Sequence, residues 1–306
     1  MAKKRNTLKE ILEEKIRLIE AVESGFLKGI EGTEKALFAA LLKLLRQFSN
    51  KGGRFVKDRA TNALILKLKR EILQTIRRST YLTKIEDYLT NFDEVERLNR
   101  LTYSQTLQRE INLSLNAQKK LAIEELTDAL TGQSALNSNF VNPIRKMMLN
   151  AVALGQTLEE TEENLRRFVR GNNQQLGRFR AYTGQVARDA LNGWDGLVND
   201  TIRDRYDLDG FMYVGSIVRD SRPNCVHLVS GSGQFSDLSI RPGVFAVSDI
   251  PKIISRARGG KGFNPNVTPE TFAQYRMGYN CRHQIIYIRL TDEEMLTRLE
   301  KLADNF

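Results

Sequence analysis

The chain holds 306 residues, 41% hydrophobic and 27% charged, a balance that points to a folded, water-facing protein and excludes wholesale disorder. Its longest apolar run, residues 36–42, is far short of the roughly 20 residues a bilayer span needs, and no apolar stretch follows the basic residues at positions 3–5. Neither a membrane span nor a secretory signal is therefore expected. Two cysteines cannot build a disulfide scaffold, and a net charge of +10 puts polyanions first among partners.

The first two hundred residues read as successive helices. Thr7 and Glu10 have the spacing of a capping box, and Leu8, Ile11, Leu12, Ile16, Ile19 and Val22 then recur every three or four residues. Leu37, Leu41, Leu44, Leu45 and Phe48 give the next helix a buried face, which the run Asn50-Lys51-Gly52-Gly53 ends. Further helical patterns cover about 57–79, 84–117 and 118–131. Residues 131–143 read as the most loop-like stretch of this half, before helices at about 144–154, 157–170 and 174–204. Glu159, Glu160, Glu162 and Glu163 fall at a helix start, where the helix dipole favours them. Trp194, the one tryptophan, reads as a packing anchor between the helical body and the C-terminal third of the chain.

From about residue 207 the texture changes. Residues 210–215 are aromatic and β-branched, as a strand requires, and residues 284–290 form the clearest strand pattern in the chain. Gly, Ser and Pro dominate residues 230–268, which predicts loops with little regular structure. Residues 291–294 read as a second capping box that opens a terminal helix with Leu296, Leu299 and Leu302 on one side. The fold class expected is mainly α, a long multi-helix N-terminal body followed by a small α+β module. The expected regions are a basic helical region at 1–131, a helical lead-in at 132–206 and the module at 207–306.

The positive charge is concentrated. Lys51, Arg54, Lys57, Arg59, Lys67, Lys69, Arg70, Arg77 and Arg78 stand against only Asp58 and Glu71 within residues 51–78. Cations at this density suit the phosphates of double-stranded DNA, or simply make a solvated helix face. No aromatic residues alternate with them, so any such contact is with the backbone and independent of sequence.

All the cysteines and histidines of the chain sit in two short segments, Cys225-Val226-His227 and Cys281-Arg282-His283. Thiolate and imidazole together suit tetrahedral zinc, and a spacing of two puts both side chains of a pair on one face of an extended segment. A structural zinc site is one reading. Small buried cysteines with backbone-bonded histidines, a Cys225–Cys281 disulfide, and an acid–base pair of His227 and His283 with Asp220, Arg222 and Arg282 nearby are the others. The glycine-rich segments 231–233 and 258–262 match no phosphate-binding loop.

The segment Asp220-Ser221-Arg222-Pro223-Asn224-Cys225-Val226-His227-Leu228, the glycine-rich stretch after it and Gly278-Tyr279-Asn280-Cys281-Arg282-His283 resemble the C-terminal module of Mu F-type minor head proteins, head morphogenesis proteins of tailed bacteriophages. Residues 180–190 are similar to that family's helical lead-in, and the likeness covers about residues 175–290. Two departures stand out: His227 and Leu228 take the place of the second cysteine of a Cys-x-x-Cys pair, and residues 272–276 replace a Pro-rich approach to the second element. The resemblance implies a virion component inside the capsid near the portal, present in the host cytoplasm during assembly. It would contact portal and other capsid or scaffold proteins and the packaged DNA, with no membrane partner. A nuclease or toxin-like module using His227 and His283, and a host-encoded nucleic-acid-binding protein, are the alternative readings.

Overall fold

The structure, a computed structural model, describes residues 7–303 apart from 173, 216, 220, 279, 280 and 282. In chain order it begins with α1 (Leu8–Gly29), α2 (Glu31–Leu45), a ribbon of β1 (Asn50–Lys51) and β2 (Arg54–Phe55), α3 (Arg59–Arg78), α4 (Tyr81–Leu89), α5 (Asn91–Thr106) and α6 (Asn116–Thr131). There follow α7 (Gln133–Leu136), α8 (Asn142–Ala153), α9 (Leu158–Arg170) and the long α10 (Arg178–Tyr206). The last third alternates β3 (Gly210–Val214), α11 (Pro223–Ser230), β4 (Ser239–Arg241), β5 (Val244–Ala246), α12 (Ile250–Ala257), α13 (Phe272–Tyr275), β6 (Gln284–Ile288) and α14 (Glu293–Ala303). The chain is mainly α with a small α+β module toward its C-terminus, as the sequence predicts. Among the described residues no helix is long and apolar enough to cross a membrane.

Local chemistry explains most of these boundaries. Thr7 and Glu10 exchange capping bonds at the start of α1, and Thr157 and Glu160 do the same at α9. Asp58 accepts the Thr61 amide at 2.7 Å and caps α3. Three sequence expectations need correction. Residues 133–153 are helical, α7 passing through a π-helical turn at Asn137–Val141 into α8. Pro143 lies in the first turn of α8, where Pro is tolerated, and buried Leu136, Phe140, Val141 and Ile144 supply an apolar face hidden by the polar composition. Likewise, residues 230–268 carry more regular structure than their composition suggests: β4, β5 and α12 lie there, α12 burying Ile250, Ile253, Ile254 and Ala257. At the last helix Asp292, not Thr291, caps the Met295 amide.

The chain folds into two compact units, each discontinuous in sequence. One comprises residues 21–91 and 121–187 and is all helix apart from the β1–β2 ribbon. In it α2 packs against α3 and α9 through buried Leu37, Leu41, Leu44 and Leu45. Phe179 joins Tyr81 and Phe140 in an aromatic cluster with centroids 5.2 and 5.4 Å away. Arg180 holds the buried carboxylate of Glu34 at 2.9 Å.

The other unit comprises residues 1–20, 92–120 and 188–306. Its antiparallel sheet has the order β4-β5-β3-β6, with β3 paired to β6 from Gly210↔Ile288 to Val214↔Gln284. β3 and β6 are buried along their whole length, so neither shows the in–out alternation of a surface strand. Phe211 packs on Phe245 and Phe272. On α10, Trp194 lies against Phe92 and donates its indole N–H to the Phe92 carbonyl at 2.8 Å. Tyr103 of α5 accepts the Tyr287 amide of β6 and donates to Asn199 of α10, tying helix to sheet.

Candidate metal centre

Two of the four expected ligands come from the approach to β6, where the backbone is not helical. There a spacing of two does place both side chains together, with Cys281 Sγ 3.6 Å from His283 Nδ1. The first pair behaves differently. Pro223 at the start and Gly231, with φ of 62°, at the end make residues 223–230 a helix. On a helix, positions two apart point about 200° apart, so Cys225 and His227 diverge. Cys225 reaches the centre and His227 does not, which corrects the extended reading of this segment.

Cys225, Cys281 and His283 thus form a buried group whose ligand atoms all lie within 4.8 Å of one another, a group that could hold a metal ion. Both cysteines are free, their sulfurs 3.9 Å apart. The distances suit a tetrahedral ion. Zinc bonds of about 2.3 Å to sulfur and 2.0–2.1 Å to nitrogen give edges of about 3.8 Å between sulfurs and about 3.6 Å from sulfur to nitrogen. Gly215 leaves the room that His283 needs: its φ is +146°, and a Cβ there would stand 2.9 Å from the imidazole Cδ2.

Tyr213 is the residue that sequence reasoning missed. Its hydroxyl is 3.0 Å from Cys281 Sγ and 3.6 Å from Cys225 Sγ, and its ring stacks on His283 at 5.3 Å between centroids. The only signal was its place in a strand pattern, three residues past Gly210 and two before Gly215. Nothing in that pattern says which way the ring points.

The electrostatics favour a thiolate at Cys281. The neighbouring Cys225 thiol, His283 and Arg276 hold it well below the usual thiol range, despite burial. Cys225, as the partner that keeps its proton and is itself buried, is pushed up. Burial, with the two sulfurs beside it, also pushes the Tyr213 phenol well above its ordinary value. Among the described residues His283 Nε2 has no hydrogen-bond partner although it is buried.

The remaining expected site residues lie elsewhere. His227 is half-buried, its ring lying against Gly233, whose φ of +57° and missing side chain admit it, and its buried Nδ1 is without a partner among the described residues. The guanidinium of Arg222 occupies the space where a side chain at Gly262 would begin. Asp220 and Arg282 of the acid–base reading, and Tyr279 and Asn280 of the second motif, lie outside the described residues.

The nine basic residues of the 51–78 stretch are all exposed. On α3, Arg59, Lys67, Arg70, Arg77 and Arg78 fall within an arc of about 100°, opposite buried Thr61, Ile65, Leu68, Ile72 and Ile76. Arg54 donates to the Gly155 carbonyl; none of the nine forms an ion pair among the described residues. Comparison with protein-family models, with curated proteins and with solved structures finds no match.

Proposed function

We propose that this chain is a non-catalytic structural protein of a bacteriophage head, whose C-terminal module is held together by zinc and whose α3 lies against packaged DNA. What supports the zinc reading most is the buried Cys225, Cys281 and His283 group, whose sulfur–sulfur and Cys281–His283 distances match the edges of a zinc tetrahedron and whose Cys281 is held toward the thiolate. These residues would tie α11 to the approach to β6, and the ion's role there is to crosslink these two elements of a module made of short strands and helices. The portal, capsid and scaffold contacts rest on the resemblance in residues 175–290.

The DNA reading is favoured by a separate observation, the unpaired basic arc of α3 over a helix about 30 Å long. The nuclease alternative needs both imidazoles on one phosphodiester. His283 is buried among sulfur and tyrosine, which weighs against it. The deciding experiment is quantitative detection of the chain in purified virions and procapsids, alongside elemental analysis of the recombinant protein. Enrichment in particles and about one zinc per chain support the reading; absence from both particle types overturns the head assignment.

A further inference from the structure

We propose that the hydroxyl of Tyr213 is the fourth ligand of the metal centre, completing a Cys225, Cys281, His283 and Tyr213 tetrahedron. This rests on the metal reading above and extends it, since three protein ligands would otherwise leave one vertex open, as catalytic zinc sites do.

Geometry is the first argument. A tetrahedral ion bonded to sulfur at about 2.3 Å and to oxygen at about 2.0–2.2 Å has sulfur–oxygen edges of about 3.5 Å. Tyr213 Oη stands 3.6 Å from Cys225 Sγ, on that edge length, and 3.0 Å from Cys281 Sγ, about half an ångström inside it, within reach of both sulfurs. Its ring is fully buried and fixed on two sides, by its stack on His283 and by the central position of β3 in the sheet. Its hydroxyl has, among the described residues, no other hydrogen-bond partner than these sulfurs. His227 is the competitor that the sequence offers for this vertex, and the helical turn of α11 carries it away.

Charge is the second argument and is independent of the first. Among the described residues, Lys15 and Arg276 are buried with one buried carboxylate between them, Asp195. This group carries an excess of one positive charge, and Arg276 also contacts the Cys281 carbonyl at 3.5 Å. Asp189 lines the small cavity beside Arg276 and Cys281 but is only half-buried. A divalent ion with two thiolates and a neutral phenol is uncharged and leaves that excess standing. With a phenolate the centre carries one negative charge, and the two buried groups balance. As the metal–oxygen bond forms, the phenol O–H bond breaks and its proton goes to solvent. The ion's own charge drives this, as it does for any ligand that must deprotonate to bind.

The test uses the full chain, stripped of metal and titrated with zinc ion while its ultraviolet difference spectrum is recorded. Zinc itself is silent there and zinc-bound thiolates absorb at shorter wavelength, so the long-wavelength band of an ionised phenol reports on tyrosine. The expected result is one zinc per chain, with a phenolate band worth one of the nine tyrosines, and loss of that band in Tyr213→Phe together with a roughly tenfold or greater loss of zinc affinity. Zinc binding at one per chain without the band, or the same band in Tyr213→Phe, overturns Tyr213 as a ligand while the three-residue centre stands. No zinc binding by the unaltered chain overturns the centre and this inference together. Should Tyr213→Phe fail to fold, the presence or absence of the band in the unaltered chain decides.

Discussion

Lys15 of α1 donates to Asp195 of α10 at 2.9 Å, across 180 positions of sequence, with both side chains about 1% exposed. Asp195 also accepts from Asn99 and Arg276, so one carboxylate anchors contributions from α1, α5, α10 and the segment after α13. Its attractions to Lys15 and Arg276 hold the carboxyl below its ordinary range although burial pushes it up. Burial in turn pulls the Lys15 ammonium down from its usual value.

Removing this anion strands two cations in a dry interior. Asp195→Ala is expected to cost about 3–5 kcal/mol or to prevent folding, the penalty of breaking a buried pair. Lys15→Met removes one of the two cations and leaves Asp195 paired with Arg276, so it should cost distinctly less. Urea unfolding of both variants checks the order, and an equal or greater loss in Lys15→Met would contradict it.

Chelation should unfold or loosen the C-terminal module. With a strong chelator the melting temperature of the full chain should fall, and zinc should restore it. Cys281→Ser should abolish the chelator effect together with zinc binding, because it removes the sulfur nearest both Tyr213 and His283. His227→Ala, outside the centre, should keep one zinc per chain; loss of zinc there would place His227 among the ligands after all.

Asp200 gives a pH signature. Burial raises its carboxyl to about 6, against the pull of Tyr287 and Arg203, which bond it at 2.7 and 2.8 Å. An acid raised in the folded state takes its proton there first, so as pH falls from about 6 toward the unfolded value near 4 this group adds stability. Asp200→Asn should lack that gain, with the two stabilities diverging by up to roughly 3 kcal/mol over this window. Melts of both proteins at matched pH values check this, and parallel pH curves would refute it.

The basic arc of α3 predicts salt-dependent, sequence-independent duplex binding. Replacing Arg70 and Arg77 by Ala should weaken binding equally across DNA sequences and lower the slope of log K against log salt by about one per lost phosphate contact. Fluorescence anisotropy with two unrelated duplexes at several salt concentrations measures both. An unchanged slope would return the arc to a solvated face.

Much of the architecture is legible in the sequence because its causes are local. The helical first two-thirds, the capping box of α1 and the buried face of α2 arise from periodicity and end signals, and the strands β3 and β6 from aromatic and β-branched runs, that lie within a few residues. The same holds for the concentration of cysteine and histidine in two short segments, and for the exposure of the charges around α3. Composition taken alone misleads: the polar residues 131–143 hide a helix, and the Cys-Val-His spacing suggests an extended segment although Pro223 and Gly231 bound a helix around it. That difference matters for chemistry, since the helix turns His227 away from Cys225.

Tertiary structure alone decides the rest. Cys225 and Cys281 are 56 positions apart, and only the pairing of β3 with β6 and the placing of α11 bring their sulfurs together. Tyr213 joins them because the fully buried β3 has an environment on both faces, so alternation cannot say where its hydroxyl points. The unit that contains this centre draws on residues 1–20, 92–120 and 188–306. No window of sequence reports such a union. The sequence sets which side chains must be buried and which can bind an ion, but a buried charge finds its partner through the whole fold, as Lys15 does in Asp195.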